Sequence, residues 1–368
     1  MLPLAISTWG EEERNALLKV IDSGNFTMGE KVSEFENSYA QYVGTKYAVA
    51  CNSGSSANLL MVAAMSLRQG VGTVIAPAVS WSTSYSPFQQ YGWKIRFVDV
   101  DSETLNYDLE ALNKAYTGQE LILAVNLLGN PNDYMKFPSM DILEDNCESM
   151  GAEYEAIAPA EDDRLYRAWI KTGAFGVMAS HSTFFSHHIQ TMEGGLVTTD
   201  DEYFYEMLLC LRSHGWTRHL PQNNLLKAKV SAYEFIYPGY NLRPTELVGA
   251  VGIEQVRKLP AFVRQRRENA ECFKETAKKR GWKIQSEIGK SSWFAFAIQS
   301  DDIEEIKKEF DAKGIAHRPL VAGNFVNSDS IKYYDYEIHA ELKNANYVHT
   351  NGIYIGNTHQ PIDWKVLQ

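Results

Sequence analysis

The 368-residue sequence lacks the marks of several protein classes. Its four cysteines are scattered without Cys-x-x-Cys spacing, so a disulfide scaffold is not indicated and reduced thiols are expected. No apolar run approaches the ~18 residues that cross a bilayer, and the N-terminus lacks a basic and apolar leader. Acidic residues (46) outnumber lysines and arginines (35), and the net charge of −11 argues against nucleic acid and anionic membranes as partners. We therefore expect a cytoplasmic protein.

What the sequence contains is an alternation of short apolar runs with helical segments such as 30–43 and 201–212. Apolar runs of strand length occur at Tyr47–Cys51, Thr73–Pro77, Ile95–Val100, Leu121–Leu127, Asp141–Asp145, Ser182–Phe185 and Gly195–Thr199. Strands that are apolar on both faces favour a mostly parallel central sheet with helices on both faces. This pattern predicts a large α/β domain over residues 1–245 and a smaller C-terminal α+β domain over residues 246–368.

The first candidate site follows the strand Tyr47–Cys51, where the chain reads Asn-Ser-Gly-Ser-Ser-Ala-Asn before a helix. Gly54 allows a close turn, and Ser55 lies at the helix N-terminus. Free N–H groups and the helix dipole favour a phosphate there. Taken alone, such a junction is more often a turn with a helix cap.

The second candidate site is the segment Leu-Glu-Asp-Asn-Cys-Glu at 143–148. It places Asp145 at the carboxyl end of a parallel strand, where open α/β sheets bind ligands. A buried carboxylate needs a partner, and a protonated heteroaromatic nitrogen would serve. A helix N-cap is the alternative interpretation of this segment.

The third candidate site runs from Ser182 to Gly195 and contains adjacent histidines, His187 and His188, followed by Glu193. A metal site is not indicated, because neither a His-x-x-x-His spacing nor a second acid at ligand spacing accompanies the pair.

In order and spacing these three segments resemble the sugar-nucleotide aminotransferase family of fold-type I pyridoxal 5′-phosphate enzymes, over nearly the whole chain. In that family a strand–Ser-Gly-[Ser/Thr]–helix junction holds the cofactor phosphate, and an acidic strand end faces the pyridine nitrogen. A loop that begins at a serine and ends in an acid and two glycines supplies the lysine that binds the cofactor covalently. Here His187 occupies the lysine position, six residues before Glu193, and no lysine occurs between Thr172 and Leu226.

This departure argues against a plain aminotransferase, because no amine is available on the loop to bind the cofactor or release a product amine. An imidazole still serves as a base. The lysine-to-histidine change is that of the sugar-nucleotide 3-dehydratases, and longer segments such as FFSHHIQTMEGG resemble those that act on GDP-4-keto-6-deoxy-D-mannose. The resemblance implies pyridoxal 5′-phosphate and pyridoxamine 5′-phosphate as cofactor forms. It further implies L-glutamate as amino donor, C3 deoxygenation with release of 2-oxoglutarate and ammonia, and a homodimer with shared active sites.

The resemblance also implies roles for individual residues. Gly54, Ser55 and Ser182 would contact the cofactor phosphate, which Asn241 would reach from the partner subunit. Trp81 would stack on the pyridine ring, and Asp145 would pair with the ring nitrogen. Glu148 would lie near the phenolic oxygen, and His187 would be the catalytic base. Candidates for binding the glutamate carboxylate or the diphosphate, with surface ion pairs as the alternative, are His214, Arg218, Arg243 and Arg318.

Two alternatives stay open at this point. One is a deoxygenase or aminotransferase of the same fold that acts on another nucleotide sugar. The CDP-sugar 3-dehydratases share the histidine but need an iron–sulfur cluster, which scattered cysteines do not support. The other alternative is a non-catalytic binding protein that keeps the fold. The stretch 158–171 resembles an insertion that would reshape the entrance to the site.

Overall fold

The computed structural model describes residues 2–159 and 165–367. The α-helices are α1 (Glu11–Ser23), α2 (Glu30–Val43), α3 (Gly54–Gln69), α4 (Ser82–Gln90), α5 (Leu109–Ala115), α6 (Glu202–Arg212), α7 (Glu246–Arg280), α8 (Ile303–Lys313) and α9 (Lys343–Asn351). The strands are β1 (Tyr47–Cys51), β2 (Thr73–Pro77), β3 (Lys94–Val98), β4 (Leu121–Val125), β5 (Ile142–Asp145), β6 (Glu153–Pro159), β7 (Leu165–Lys171), β8 (Met178–Ser182), β9 (Gly195–Thr199), β10 (Lys283–Ile284), β11 (Ala295–Gln299), β12 (His317–Pro319), β13 (Tyr336–Ile338) and β14 (Gly352–Gly356).

The central sheet has the strand order β1-β9-β8-β5-β4-β2-β3-β13. Pairing is parallel from β8 through to β13, and antiparallel only where β9 joins β1 and β8. Strands β4 and β5 are buried along their whole length, as expected for a sheet covered on both faces. The predicted mostly parallel α/β sheet is therefore confirmed.

One predicted strand is wrong. The run Ser182–Phe185 was expected to lie in the sheet, but β8 covers Met178–Ser182 and the chain leaves the sheet at Ser182. Beyond it, Thr183 exchanges backbone hydrogen bonds with Gly194 and Thr191 and so closes a loop. Phe185 is 56% exposed, so its apolar character reflects the loop surface and not a strand.

The candidate residues lie at the carboxyl edge of the sheet. Strand β5 ends at Asp145, opposite Val125 of β4 on one side and Ser180 of β8 on the other. Helix α3 begins at Gly54, directly after β1. Because parallel strands end at the same edge, these segments meet there.

The C-terminal part forms a second sheet of order β10-β11-β14-β12 with antiparallel pairing. Helix α7 begins at Glu246, whose carboxylate accepts the N–H groups of Gly29 and Lys31 and thereby ties α7 to the start of α2. Strand β13 pairs with β3 and so extends the central sheet from the C-terminal part. The domain boundary after residue 245 stays a prediction.

Strands β6 and β7 form a two-stranded antiparallel unit. Tyr154 and Ala156 on its inner face are buried, whereas Trp169 on the outer face is 46% exposed. The predicted insertion 158–171 falls on this unit, and its residues 160–164 lie outside the described residues. In the described part of the chain, no helix is both long enough and apolar enough to traverse a bilayer.

Candidate active site

A cavity of about 420 Å³ opens at the carboxyl edge of the central sheet. The predicted site residues that line it are Gly54, Ser55, Trp81, Asp145, Glu148, Ser182, His187 and Arg318. The described residues that line it do not include four predicted site residues, namely His214, Arg218, Asn241 and Arg243. The three sequence segments therefore meet in one place, and the segment that holds the last four residues lies outside it.

The Gly54 end of the cavity is a close backbone junction. A Cβ on Gly54 would lie 2.6 Å from the Cβ of Ser182 and 3.0 Å from the Sγ of Cys147, so a larger residue does not fit without rearrangement. The first N–H groups of α3 have no partner within the helix. Among them, the Ser53 hydroxyl oxygen accepts a hydrogen bond only from the Ser56 N–H, at 3.1 Å. The remaining donors form a cradle for an anion.

Asp145 is 5% exposed and is held entirely by neutral donors. Its Oδ2 accepts hydrogen bonds from Asn58 Nδ2 at 3.0 Å and Ser84 Oγ at 2.6 Å. Its Oδ1 accepts longer ones from the Cys147 N–H at 3.2 Å and Ser180 Oγ at 3.4 Å. A buried carboxylate without a cationic partner is costly, so the cavity is suited to a ligand that brings a protonated nitrogen to Asp145.

These two features test whether pyridoxal phosphate fits the residues present. The cradle at Gly54 accepts a phosphate, and the Asp145 carboxylate accepts a pyridinium N–H. Trp81 lines the same cavity with 57% of its surface exposed, and so presents an aromatic face for stacking. The residues fit the cofactor at both of its ends.

His187 faces the cavity from the loop after β8. Its ring packs edge-on against Phe294, with 5.1 Å between ring centroids, and against Phe184 at 6.0 Å. Its Nδ1 lies 3.5 Å from Ser186 Oγ, the outer limit of a hydrogen bond. Burial and the positive charge of Arg266 lower the pKa of His187 to about 4, so the imidazole is neutral at neutral pH and accepts a proton.

His188 points away from the cavity. Its Nε2 lies 3.3 Å from the carbonyl oxygen of Ser292, and its side chain is fully buried. Burial holds the pKa of His188 well below its ordinary value. Of the adjacent histidines, only His187 is placed to meet a ligand in the cavity.

Glu148 lines the cavity beside Asp145. Its Oε2 accepts the N–H of Leu128 at 3.0 Å. Burial and the charge of Asp145 raise the pKa of Glu148 to about 7, against the opposing effect of the Leu128 N–H. A substantial fraction of this carboxyl is therefore protonated near neutral pH and is able to donate a hydrogen bond.

The four predicted site residues outside the cavity include two arginines that lie near one aromatic ring, that of Trp216. The guanidinium groups of Arg218 and Arg243 lie 4.2 Å and 5.8 Å from the centre of the Trp216 ring, and the His214 ring lies 4.7 Å from it. Arg243 Nε also donates to Asn241 Oδ1 at 3.0 Å. These residues form one cluster, which we call the arginine–tryptophan cluster.

A backbone contact places this cluster next to the phosphate end of the site. The N–H of Asn52, two residues before Gly54, donates to the carbonyl oxygen of Leu242 at 3.0 Å. Arg218 and Asn241 are both exposed. The cluster thus lies on the surface beside the cavity and not within it.

Several lining residues were missed by the sequence analysis. Asn58 and Ser84 hold Asp145 in place, and Phe294 packs against His187. One signal was available for Asn58, because it lies four positions after Gly54 on the same helical face and directly before the apolar run of α3. Phe294 gave no such signal, since it comes from a distant strand end.

Comparisons with known proteins agree with this geometry. The model of the DegT/DnrJ/EryC1/StrS aminotransferase family matches residues 7–360. The chain is 48% identical to the GDP-4-keto-6-deoxy-D-mannose 3-dehydratase of Yersinia pseudotuberculosis, over 96% of this chain and 93% of that protein.

Similar solved structures carry ligands. A GDP-4-keto-6-deoxymannose-3-dehydratase with a trapped PLP-glutamate geminal diamine has a TM-score of 0.91 and 43% identity, with 100% of both chains covered. A mutant of GDP-4-keto-6-deoxymannose-3-dehydratase with bound GDP-perosamine has a TM-score of 0.90 and 43% identity, again with 100% of both chains covered.

Proposed function

Since this chain belongs to the DegT/DnrJ/EryC1/StrS aminotransferase family, we propose that it removes the C3 hydroxyl of GDP-4-keto-6-deoxy-D-mannose with pyridoxal phosphate as cofactor and L-glutamate as amino donor. The observation that carries the proposal is His187, a neutral imidazole in the cavity at the position of the family's lysine. The 48% identical relative bears the name of this dehydratase, and a similar structure holds a PLP-glutamate adduct.

The bound cofactor supplies an electron sink and a carrier for the amino group. Asp145 orients the ring by accepting the hydrogen bond of its protonated nitrogen, and the cradle at Gly54 and Ser55 anchors the phosphate. Ser182 lies against Gly54 and closes that end. Glu148, protonated in part near neutral pH, donates a hydrogen bond to the phenolic oxygen.

His187 moves the protons. In the glutamate half-reaction its imidazole takes the proton from the Cα of glutamate and delivers it to the C4′ carbon. In the sugar half-reaction it takes a proton back from C4′, which drives out the C3 hydroxyl. A neutral imidazole is required at the start of each transfer, and the low pKa of His187 provides it.

The atoms and electrons balance across the two halves. L-Glutamate is oxidised to 2-oxoglutarate, and C3 of the sugar is reduced as its C–O bond is replaced by a C–H bond. The hydroxyl leaves as water, and one water is consumed when the nitrogen is released as ammonia. A lysine would instead transfer its amine to free the product; with histidine, water performs this step.

The active form that we propose is a homodimer. Among the described residues that line the cavity, Arg318 is the only lysine or arginine, whereas Asp145, Glu148 and Glu193 are acidic. A cofactor phosphate and a diphosphate need more positive charge than this. The exposed arginine–tryptophan cluster would supply it from the partner subunit, with Asn241 reaching the phosphate and with Arg218 and Arg243 on the diphosphate.

Mixing two inactive variants tests the shared site. His187→Asn loses its base, and Arg218→Ala combined with Asn241→Ala loses the cluster. If subunits exchange, a mixed dimer contains one site with both defects and one intact site, so activity returns on mixing. Continued inactivity of verified mixed dimers contradicts the shared site.

We also place the protein in the cytoplasm. Cys51 and Cys210 are free thiols that pack in the interior, and such thiols are typical of reducing compartments. Fusion to a reporter active only in the cytoplasm checks this location.

The experiment that tests the function is a visible spectrum of the protein with pyridoxal phosphate, before and after L-glutamate, followed by an ammonia assay with nucleotide sugars. We expect glutamate to bleach the aldehyde band and GDP-4-keto-6-deoxy-D-mannose to release ammonia. Conversion by glutamate with ammonia only from another nucleotide sugar contradicts the proposed substrate. The absence of any spectral response contradicts catalysis and supports a binding protein.

A further inference from the structure

Arg266 of α7 lies behind the two adjacent histidines and is only 3% exposed. Its Nη1 donates to the carbonyl oxygens of Phe294 at 2.9 Å and Asn357 at 2.8 Å. Its Nε has no hydrogen-bond partner within the described part of the chain. Backbone carbonyls alone offset this buried positive charge incompletely. A buried arginine at this position is therefore costly unless it has a structural or functional role.

The carbonyl that Arg266 holds belongs to a residue that touches both histidines. The Phe294 ring centroid lies 5.1 Å from that of His187 and 5.7 Å from that of His188. The backbone just before it is in the left-handed region, with a φ of 49° at Trp293, which is strained for a bulky residue. Asn357 adds a hydrogen bond of 2.8 Å to the Trp293 carbonyl. Arg266 and Asn357 together hold this turn, and the turn holds Phe294 against His187.

We propose that Arg266 is a positioning residue for His187. Its guanidinium fixes the turn that packs Phe294 against the imidazole, and its positive charge favours the neutral, proton-accepting form of that imidazole. The inference rests on the proposed function of His187 as the base. Arg266 is buried and is not among the residues that line the cavity.

Several titratable groups share the surroundings of His187. The other titratable groups that line the cavity with His187 are Asp145, Cys147, Glu148, Glu193, Arg318 and Tyr354, and His188 follows it in the chain. Burial lowers the pKa of His187, and the charge of Arg266 lowers it further. Burial also lowers the pKa of Arg266, to about 10, which leaves the guanidinium charged at neutral pH.

The test is an NMR titration of the His187 ring in the full-length protein, with and without pyridoxal phosphate. Labelled histidine gives nine signals, and the signal that disappears in His187→Asn identifies the residue. Arg266→Gln removes the charge, Arg266→Met removes it while filling the same volume, and Arg266→Lys keeps it. Arg264→Gln is the matched control, because Arg264 is an exposed arginine on the same helix.

We expect a His187 pKa of about 4 in the parent protein and in the Arg264→Gln control. The Gln variant, or the Met variant if Gln does not fold, should raise this pKa by about one unit, whereas the Lys variant should leave it near the parent value. An unchanged pKa in the neutral variants, or an equal rise in the Lys variant, overturns the electrostatic part of the inference.

Arg266→Lys tests the positioning part by itself. It keeps the charge but loses the planar group that bridges two carbonyls, so the rate at saturating substrate should fall about tenfold while the His187 pKa stays low. Parental turnover in this variant contradicts positioning. Because the titration needs no substrate, the predicted pKa shift in a protein inactive on the GDP sugar would contradict the proposed function and not the role of Arg266.

Discussion

His181 and His187 lie six residues apart, but His181 is fully buried whereas His187 is half-buried beside the cavity. Both ring nitrogens of His181 are hydrogen-bonded, Nδ1 to the Tyr39 hydroxyl at 2.8 Å and Nε2 to Thr198 Oγ1 at 2.9 Å. His187 has only a 3.5 Å contact to Ser186 and an open cavity before it. Both ring nitrogens of His181 are thus occupied, whereas His187 has a ring that lines the cavity and a nitrogen free to meet a ligand. Hydrogen bonding together with access to the cavity, and not the residue type, separates the two roles.

The largest effect is expected from replacing His187. His187→Asn keeps a polar side chain but removes the base, so deoxygenation should fall by about a thousandfold. Cofactor binding and thermal stability should stay near those of the parent, because Asp145 and the Gly54 cradle are untouched. Single-turnover kinetics with a cofactor titration check this. Loss of cofactor binding together with the rate would show that His187 is needed for the structure of the site.

Replacing His181 should give the opposite result. His181→Leu leaves the buried Tyr39 hydroxyl and Thr198 hydroxyl without this partner, and we expect a loss of about 2–3 kcal/mol in the free energy of unfolding. Turnover per folded molecule should change little. Urea denaturation and kinetics at the same pH measure both quantities. A large loss of turnover with parental stability would place His181 in the chemistry.

A substitution at Gly54 tests how the protein binds the cofactor phosphate. Gly54→Ala puts a Cβ within 2.6 Å of Ser182, so the dissociation constant for pyridoxal phosphate should rise about tenfold, while both histidines keep their surroundings. Gly72→Ala is the control, because its Cβ would meet only Trp93, at 3.7 Å. Fluorescence titration with the cofactor measures the difference. Equal affinity in both variants contradicts the phosphate cradle.

Acidification should have the most gradual effect. Burial lowers the pKa of His181 to about 3, against ~6.5 in the unfolded chain. Between these values the unfolded chain binds a proton that the folded chain does not, so stability falls as pH falls, by at most about 1.4 kcal/mol per pH unit for this group. The His181→Leu variant should show a shallower slope. Identical slopes would contradict a neutral, buried His181.

Much of the architecture was predictable because it depends on patterns within short segments. The apolar runs at β1, β2, β4 and β9 were found from sequence, whereas a shared site for the Gly54, Asp145 and His187 segments was implied by the family resemblance. The expected strand at Ser182–Phe185 failed because two aromatic residues in a surface loop have the same apolar pattern as a strand.

What the sequence did not yield depends on contacts between distant parts of the chain. The donors from Asn58 and Ser84 to Asp145, the packing of Phe294 on His187 and the charge of Arg266 behind it come from separate elements. The raised pKa of Glu148 likewise follows from burial that only the folded chain creates. The roles of Arg218, Arg243 and Asn241 stay predictions, because they involve a second subunit.

The central claim is that histidine in place of lysine leads to deoxygenation of the sugar and not to its amination. The most direct test supplies L-glutamate labelled with heavy nitrogen together with GDP-4-keto-6-deoxy-D-mannose, and follows the label by mass spectrometry. We predict a sugar product that has lost the C3 oxygen and carries no label, with the heavy nitrogen recovered as ammonia. Heavy nitrogen in a sugar that retains its C3 hydroxyl would contradict the account.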